Sequence, residues 1–201
     1  MKPNRKAIDK GYKKRSGRIM FPTSHDITMD SLNGCLAVLK KLLDSDNEVL
    51  ITTKPRLTCT KIICNAFYGK MDLIQFRFTI TSLSNNLLSF WEPDAPCYEE
   101  RLTSLIHAYQ QGYKTSISIE PFLDEDPFQL VKELEPYVTE SIWIGKMNYI
   151  QSGNLSLEEK PYFKHVRAIN SKENLLKIVE HSESYPFLIR IKDSVLNYLS
   201  K

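Results

Sequence analysis

The feature that most constrains the fold of this chain is the alternation of short strand-like runs with longer helical patterns. Strands separated by helices predict parallel strands joined by right-handed crossovers, in either a barrel or an open doubly wound sheet. An α/β fold is therefore expected. The five predicted strands are RIMFPT (18–23), EVLITT (48–53), LIQFRFTI (73–80), KTSISI (114–119) and SIWIG (141–145).

The segments outside these strands show apolar residues at helical spacing. Residues 29–46 carry leucines three and four positions apart, with Asp30 or Ser31 as candidate N-caps. Residues 148–165 lack this spacing and are predicted to form a loop. Further helices are predicted over 97–112, over 126–138, over 171–184 with Ser171 as cap, and over 191–201.

Composition narrows the class of protein. With 201 residues, of which 42% are hydrophobic, the chain has enough apolar material for one good core. It contains neither GxGxxG nor GxxxxGK[ST], which disfavours an open sheet that binds nucleotides. No apolar run approaches about 18 residues, and the N-terminus is basic and polar, so a cytoplasmic location without a membrane anchor is expected.

The leading segment, residues 1–18, is strongly basic. It holds eight Lys and Arg side chains against Asp9 alone, a net charge of +7 in a chain whose total is +3. Such an arm can contact nucleic acid, because Lys and Arg displace counterions from a polyanion. The simpler alternative is a solvated segment, since Tyr12 is its one ring suited to stacking on a base.

The cysteines point to buried thiols. Four cysteines at uneven spacing suit a reducing compartment better than a disulfide framework. Cys59 and Cys64 have no nearby Cys or His pair that would complete a tetrahedral zinc site, so no metal ligands are predicted.

Polar side chains gather at the carboxyl ends of all five predicted strands, where parallel α/β proteins bind their ligands. Ser116, Ser118 and Glu120 share one face of the fourth strand, which predicts a polar lumen that holds a ligand or water. The alternative is that each hydroxyl satisfies a nearby backbone group. The strand-end candidates are Thr23, Ser24, His25 and Asp26; Thr52, Thr53 and Lys54; Thr79, Thr81 and Ser82; Glu120; and Lys146 and Asn148.

Two smaller arrangements are candidates for proton transfer. His25 and Asp26 are adjacent and could form a relay, although such pairs more often belong to a loop or cap. Glu92 and Glu120 each precede a proline and could act as acid and base across a mouth. Residues 89–102, SFWEPDAPCYEERL, predict a stiff acidic loop at the rim of that mouth, with Arg101 or a ligand as the partner of Glu92.

Several segments together resemble a known family, the radical S-adenosylmethionine (SAM) proteins of the group related to spore photoproduct lyase and other DNA-repair lyases. The resemblance runs from about residue 10 to the C-terminus and implies a partial (β/α)6 barrel whose mouth binds a [4Fe–4S] cluster and SAM. It is carried by GRIMFPTSHDIT, VLITTKPRL, FRFTITSLSNNLLSFWEPDAPCYEERL, GYKTSISIEPFLD and SIWIGKMN.

The chain departs from this family at its defining feature. Family members carry a CxxxCxxC loop after the first barrel strand, where three thiolates hold the cluster. Here Cys35, Cys59, Cys64 and Cys97 match it in neither spacing nor position. The chain thus resembles the family with its first βα unit removed, leaving about five units, and SAM is the expected cofactor while a cluster is not expected in this chain alone.

The resemblance also implies site residues. The lysine at the end of the second strand, Lys54, corresponds to one that reaches toward SAM, and Thr79 or Thr81 lies on the strand whose polar residue contacts it. Ser118 and Glu120 complete the expected cofactor site. The expected pocket-rim residues are His25, Asp26, Glu92, Arg101, Lys146 and Asn148, and no catalytic residue is assigned.

Two functions follow as hypotheses. The first is the C-terminal part of a radical SAM enzyme, which supplies the SAM and substrate pocket for hydrogen abstraction from an unknown substrate. The second is a non-catalytic binding module or subunit that contacts nucleic acid through its basic segment. Expected partners are a separate chain carrying the cluster segment or a second copy. The expected divisions are a basic segment (1–18), a partial barrel (19–150) and a C-terminal region (151–201).

Overall fold

The computed structural model describes residues 5–186 and 188–201, which fall into two compact units. Unit 1 runs up to Thr79 and adds residues 99–116 and 137–139. Unit 2 comprises residues 80–98, 117–136 and 140–201. The divisions expected from the sequence stay a prediction, and residues 1–4 of the basic segment lie outside the described residues.

Six strands follow one another in chain order in the sheet, and the class is α/β with parallel strands, as the alternation predicts. In unit 1, β2 pairs in parallel with β1 and β3; in unit 2, β5 pairs in parallel with β4 and β6. The first half of β4 belongs to unit 1 and the second half to unit 2. The strands are β1 (Ile19–Phe21), β2 (Val49–Thr53), β3 (Ile74–Thr79), β4 (Lys114–Ile119), β5 (Ile142–Ile144) and β6 (Ile189–Ile191).

All five predicted strands are present, and the sixth is an addition. β6 has three residues, Ile189–Ile191, and its pairing with β5 aligns Ile142 with Ile189 and Ile144 with Ile191. No predicted element includes Ile189 and Arg190, and the final predicted helix includes Ile191, so this strand was not recognised. The sheet therefore has six strands, one more than the five that the sequence predicts.

Nine α-helices and two 3₁₀ helices, Tyr68–Leu73 and Glu135–Tyr137, accompany the strands within the described residues. In unit 1, α2 begins after the N-cap Thr28, whose N–H donates to Ser31 Oγ at 3.0 Å, so the cap lies two residues before Asp30. The helices are α1 (Arg5–Asp9), α2 (Met29–Asp44), α3 (Leu57–Ala66), α4 (Asn85–Trp91), α5 (Tyr98–Gln110), α6 (Pro127–Leu134), α7 (Lys160–Ile169), α8 (Lys172–Ser182) and α9 (Asp193–Leu199).

Two segments differ from the sequence-based expectation. Residues 148–165 were expected to form a loop, but α7 begins at Lys160, because Pro161 suits the first turn of a helix and Phe163, Val166 and Ile169 are buried three positions apart. The acidic stretch 89–102 is a loop only over 92–97, because α4 ends at Trp91 and α5 begins at Tyr98.

Each unit has its own apolar interior. In unit 1, alternate residues of β2 are buried with Ile74, Phe76 and Phe78 of β3. In unit 2, Ile117 and Ile119 of β4, Ile142 and Ile144 of β5, and Leu130 and Val131 of α6 are inaccessible to solvent. Among the described residues, no helix combines the length and the hydropathy needed to cross a membrane.

Candidate functional site

The carboxyl ends of β1, β2 and β3 line an open polar pocket within unit 1, here called the β1–β3 pocket. Its volume is about 290 Å³. Four predicted site residues, His25, Asp26, Lys54 and Thr79, line it together. They meet because adjacent parallel strands end at the same edge of a sheet. The full lining is Pro22, Thr23, Ser24, His25, Asp26, Thr52, Thr53, Lys54 and Thr79.

In this pocket, the carboxylate of Asp26 connects the segment after β1 to the end of β2. Its Oδ1 accepts from the backbone N–H of Lys54 at 2.7 Å and from Thr53 Oγ1 at 3.3 Å. Its Oδ2 lies 3.5 Å from Lys54 Nζ, and both side chains retain partial solvent exposure. Asp26 is therefore held mainly by the end of β2, while the ammonium of Lys54 is a looser partner.

The pocket wall is fixed by hydroxyls that bond to the backbone. Thr52 Oγ1 donates to Pro22 O at 2.9 Å, and Ile27 N donates to Thr53 Oγ1 at 3.0 Å. These bonds tie the segment after β1 to the end of β2. The predicted alternative, that such hydroxyls satisfy backbone groups, thus accounts for both threonines of β2.

His25 lies in the wall with its Nε2 3.9 Å from Cys35 Sγ of α2. Its Nδ1 is buried without a hydrogen-bond partner among the described residues. Burial raises the pKa of the Cys35 thiol, so the sulfur next to the imidazole is neutral at ordinary pH. No bond joins His25 to the neighbouring Asp26, so the predicted relay is not preformed in this part of the chain.

A polar row lies on the β3 face that carries Thr79. Gln75 Nε2 and Arg77 Nε both donate to Ser116 Oγ of β4, at 2.9 and 3.4 Å. Arg18 donates to Gln75 Oε1. Burial, and secondly the charge of Arg18, lowers the pKa of Arg77. The polar face predicted for β4 at Ser116 is therefore matched by Gln75, Arg77 and Thr79 of β3. Thr79 was predicted as a site residue, whereas Gln75 and Arg77 were not, although the alternation in IQFRFT was visible.

In unit 2, the carboxyl ends of β4, β5 and β6 hold a second arrangement, the Glu120 cluster, formed by Ser118, Glu120, Gly145, Lys192 and Ser194. Lys192 Nζ donates to Glu120 Oε2 and, at 3.0 Å, to Ser118 Oγ. Ser194 Oγ donates to Glu120 Oε1 at 2.8 Å. Ser118 and Glu120 were predicted, whereas Lys192 and Ser194 were missed because β6, whose end positions them, was not recognised.

Gly145 makes room for this carboxylate. A Cβ at this position would lie 2.5 Å from Glu120 Oε1 and 2.7 Å from Cδ. The peptide of Gly145 is also bonded to β4 and to the segment after it, since its N–H donates to Ile119 O and its C=O accepts from Phe122 N. The absence of a side chain at Gly145 therefore allows the Glu120 carboxylate to lie against the backbone just after β5.

Lys146 and Asn148 line a different cavity of unit 2, the β5 pocket, of about 380 Å³. Asn170 fixes the loop after β5, because its Oδ1 accepts from Met147 N at 3.0 Å while its Nδ2 donates to Val166 O at 2.8 Å. The lining consists of Lys146, Met147, Asn148, Ile150, Arg167, Asn170, Ser171 and Tyr198.

The remaining predicted residues lie away from these cavities. Thr81 is fully buried, its hydroxyl has no hydrogen-bond partner among the described residues, and its carbonyl accepts from Leu123 N. Glu92 follows α4 in unit 2, and its N–H donates to Leu88 O. Arg101 is fully buried in unit 1, where its Nη1 donates to Thr79 O at 3.4 Å. A pairing of Glu92 with Arg101 or Glu120 stays a prediction.

A half-buried acid close to Thr81, Asp124, was not predicted. Asp124 accepts from Ser82 Oγ and, at 2.9 Å, from Leu83 N, and burial raises the pKa of its carboxyl group. Both bonds connect the segment after β3 to the segment after β4 within unit 2. The role of Asp124 is to fix these two segments.

The structure offers no set of ligands for a cluster. Among the described residues, no group of three or more His, Cys, Asp or Glu side chains could hold a metal ion. Cys35, Cys59 and Cys64 are buried, and burial raises the pKa of all three, that of Cys64 to about 12. Such thiols resist the deprotonation that cluster ligation requires, so the residues present do not fit a [4Fe–4S] cluster.

Known proteins resemble this chain in sequence and in fold. No family model matches the chain. Over 163 residues it is 25% identical to the uncharacterized protein MJ0683 of Methanocaldococcus jannaschii, a match that covers 80% of this chain and 57% of that protein.

The chain is similar in fold to SuiB of Streptococcus suis, in a crystal structure bound to SAM. The TM-score is 0.51 at 9% identity, covering 79% of this chain and 36% of SuiB. This likeness confirms the fold class predicted from the sequence. The chain spans little more than half of MJ0683 and about a third of SuiB, and the spore photoproduct lyase grouping stays a prediction.

Proposed function

We propose that the chain binds S-adenosylmethionine in the β1–β3 pocket and contributes this site to an enzyme of the radical SAM type. The observation that carries the proposal is the convergence of Asp26, Lys54 and Thr79 at the ends of three parallel strands. The similarity in fold to SuiB, which is bound to SAM in its crystal structure, supports the proposal.

The chemistry of the pocket suits the groups of SAM. SAM carries a carboxylate, an amine, a sulfonium and ribose hydroxyls, and the pocket holds an ammonium, a carboxylate and several hydroxyls. Lys54 would receive the methionine carboxylate, and Asp26 would face a positive group, because opposite charges attract strongly where water is partly excluded. Thr79 would contact the ribose or the amine. SAM would supply the radical once its sulfonium bond was reductively cleaved.

The cluster that such cleavage needs would take its ligands from outside the described residues. In this proposal the chain binds and orients SAM, while a preceding segment or a separate chain supplies the thiolates. The substrate whose hydrogen is abstracted is not assigned. The resemblance of the sequence to DNA-repair lyases, together with the net charge of +7 over residues 1–18, supports nucleic acid as one substrate class to test.

Isothermal titration with SAM tests the proposal. The 201-residue chain should bind SAM saturably, and Lys54→Met should weaken binding about tenfold, the loss expected for one charge-assisted hydrogen bond. Lys114→Met is the matched control, because exposed Lys114 stands at the amino end of β4 and does not line the pocket. The proposal fails if the chain shows no saturable binding or if both substitutions have the same effect.

The second candidate is a non-catalytic binding module or subunit. It is favoured by the position of β1, which is an end strand of the sheet order and exposes half of Met20. Strands at a sheet edge invite pairing with another chain or a second copy. Light scattering that gives a stable monomer would count against this candidate.

A further inference from the structure

The β5 pocket of unit 2 is lined by positive charge that has no role in the proposed SAM site. Two cations, Lys146 and Arg167, line it, and no carboxylate does. Lys146 is 8% exposed, so most of its side chain is buried while it lines the cavity. A buried cation is costly unless an anion or several acceptors surround it.

The partners of these two cations are all neutral. Lys146 Nζ donates to Met147 O at 2.7 Å and lies 4.8 Å from the centre of the Tyr198 ring. Arg167 donates to Gln151 O and lies over the ring of Phe163 at 5.9 Å. Among the described residues, neither forms an ion pair. Burial, and secondly the charge of Lys201, lowers the pKa of Lys146.

The other lining groups suit an anion with several oxygens. Exposed Asn148 has an amide that forms no hydrogen bond within the described residues. Ser171 is the N-cap of the eleven-residue helix α8, whose N-terminal end carries partial positive charge. The acid in the first turn of α8, Glu173, is paired with Lys177 at 2.7 Å. Lysine, arginine, amide and helix terminus together form a donor set typical of phosphate sites.

We propose that the β5 pocket binds a phosphate group, held by Lys146 and Arg167 and oriented by Asn148. The phosphate belongs either to a small phosphorylated molecule or to the backbone of a nucleic acid. This site does not depend on the proposed SAM site, since its residues all lie in unit 2.

Titration of the full chain with inorganic phosphate, in chloride buffer at low ionic strength without SAM, tests the proposal. Arg167→Gln should weaken phosphate binding about tenfold, because the planar guanidinium offers two parallel donors to an oxyanion. Lys164→Gln is the matched control: Lys164 is exposed on the same helix α7, carries the same charge and does not line the pocket. Its effect should be less than about twofold, as expected for a distant surface charge.

A measurement on the unsubstituted chain tests the proposal even if a variant misfolds. Bound phosphate should raise the pKa of Lys146 and cover its amine, so acetic anhydride labelling followed by peptide mass spectrometry should show Lys146 protected by phosphate and Lys164 unprotected. Equal losses in the two Gln variants, or equal labelling of Lys146 with and without phosphate, would overturn the proposal.

Competition identifies the source of the phosphate. A single-stranded oligothymidylate that displaces inorganic phosphate, with an affinity that falls in Arg167→Gln but not in Lys164→Gln, identifies a nucleic-acid backbone. Displacement by adenosine 5′-monophosphate but not by the oligonucleotide identifies a small phosphorylated molecule. Either outcome supports a phosphate site, and failure of SAM binding would leave both results standing.

Discussion

The β1–β3 pocket and the Glu120 cluster are both formed where parallel strands end, and each contains one lysine opposite one acid. In the Glu120 cluster, Lys192 and Ser194 satisfy both carboxylate oxygens, and Gly145 leaves space for the carboxylate. In the β1–β3 pocket, the backbone N–H of Lys54 holds Asp26 at 2.7 Å, and the ammonium lies 3.5 Å away. The first arrangement joins its lysine and acid directly, whereas in the second the ammonium lies at a longer distance from the acid.

Among the substitutions that test this comparison, Lys192→Met should lower the free energy of unfolding the most. The side chains of Lys192 and Glu120 are only 22% and 25% exposed, so the change leaves a mostly buried carboxylate without its cation. Removing one partner of such a pair should lower the free energy of unfolding by about 2–4 kcal/mol, somewhat less than for a fully buried pair. Urea denaturation followed by circular dichroism measures it.

Lys177→Met serves as the control for this substitution. Lys177 pairs with Glu173 one turn away on the surface of α8, and both side chains are mostly exposed. Its loss should leave the urea midpoint unchanged. Equal midpoints for the two Met variants would mean that the Glu120 cluster does not stabilise unit 2.

A smaller loss is expected from Gly145→Ala. The new Cβ would meet the Glu120 carboxylate at 2.5 Å, so the carboxylate must move and weaken its bonds to Lys192 and Ser194. Overpacking of this kind should cost about 1–3 kcal/mol of unfolding free energy. Because the cost arises through Glu120, it should fall by more than half in a Glu120→Ala background, which a double-mutant cycle in urea would measure.

Gly153→Ala is the control for this position, since an added Cβ there meets nothing within 4 Å. It should shift the unfolding free energy by less than about 0.5 kcal/mol, as surface substitutions usually do. An undiminished cost of Gly145→Ala in the Glu120→Ala background would show that backbone packing, and not the carboxylate, requires the glycine.

The two regions also differ in how far the sequence could predict them. His25, Asp26 and Lys54 were predicted together because they directly follow recognisable strands, and parallel strands end at a common edge. Lys192 and Ser194 were missed because β6 was not recognised and both residues fall within the helix predicted over 191–201. The pairing of Lys192 with Glu120 also spans 72 positions, and only the folded chain brings such distant residues into contact. Local patterns thus revealed β1 to β5 but not the partners of Glu120.

The smallest effect on stability is expected from Lys54→Met. Its ammonium lies 3.5 Å from Asp26, the two side chains are 27% and 39% exposed, and Asp26 keeps the bonds from Lys54 N and Thr53 Oγ1 when the ammonium is lost. The free energy of unfolding should fall by less than about 1 kcal/mol in urea, as for other partly exposed ion pairs. A loss as large as that of Lys192→Met would assign Lys54 to the scaffold, and the contrast between a stabilising cluster and a pocket prepared for a ligand would fail. A small loss of stability accompanied by a large loss of SAM affinity is the combination that a ligand-binding lysine requires.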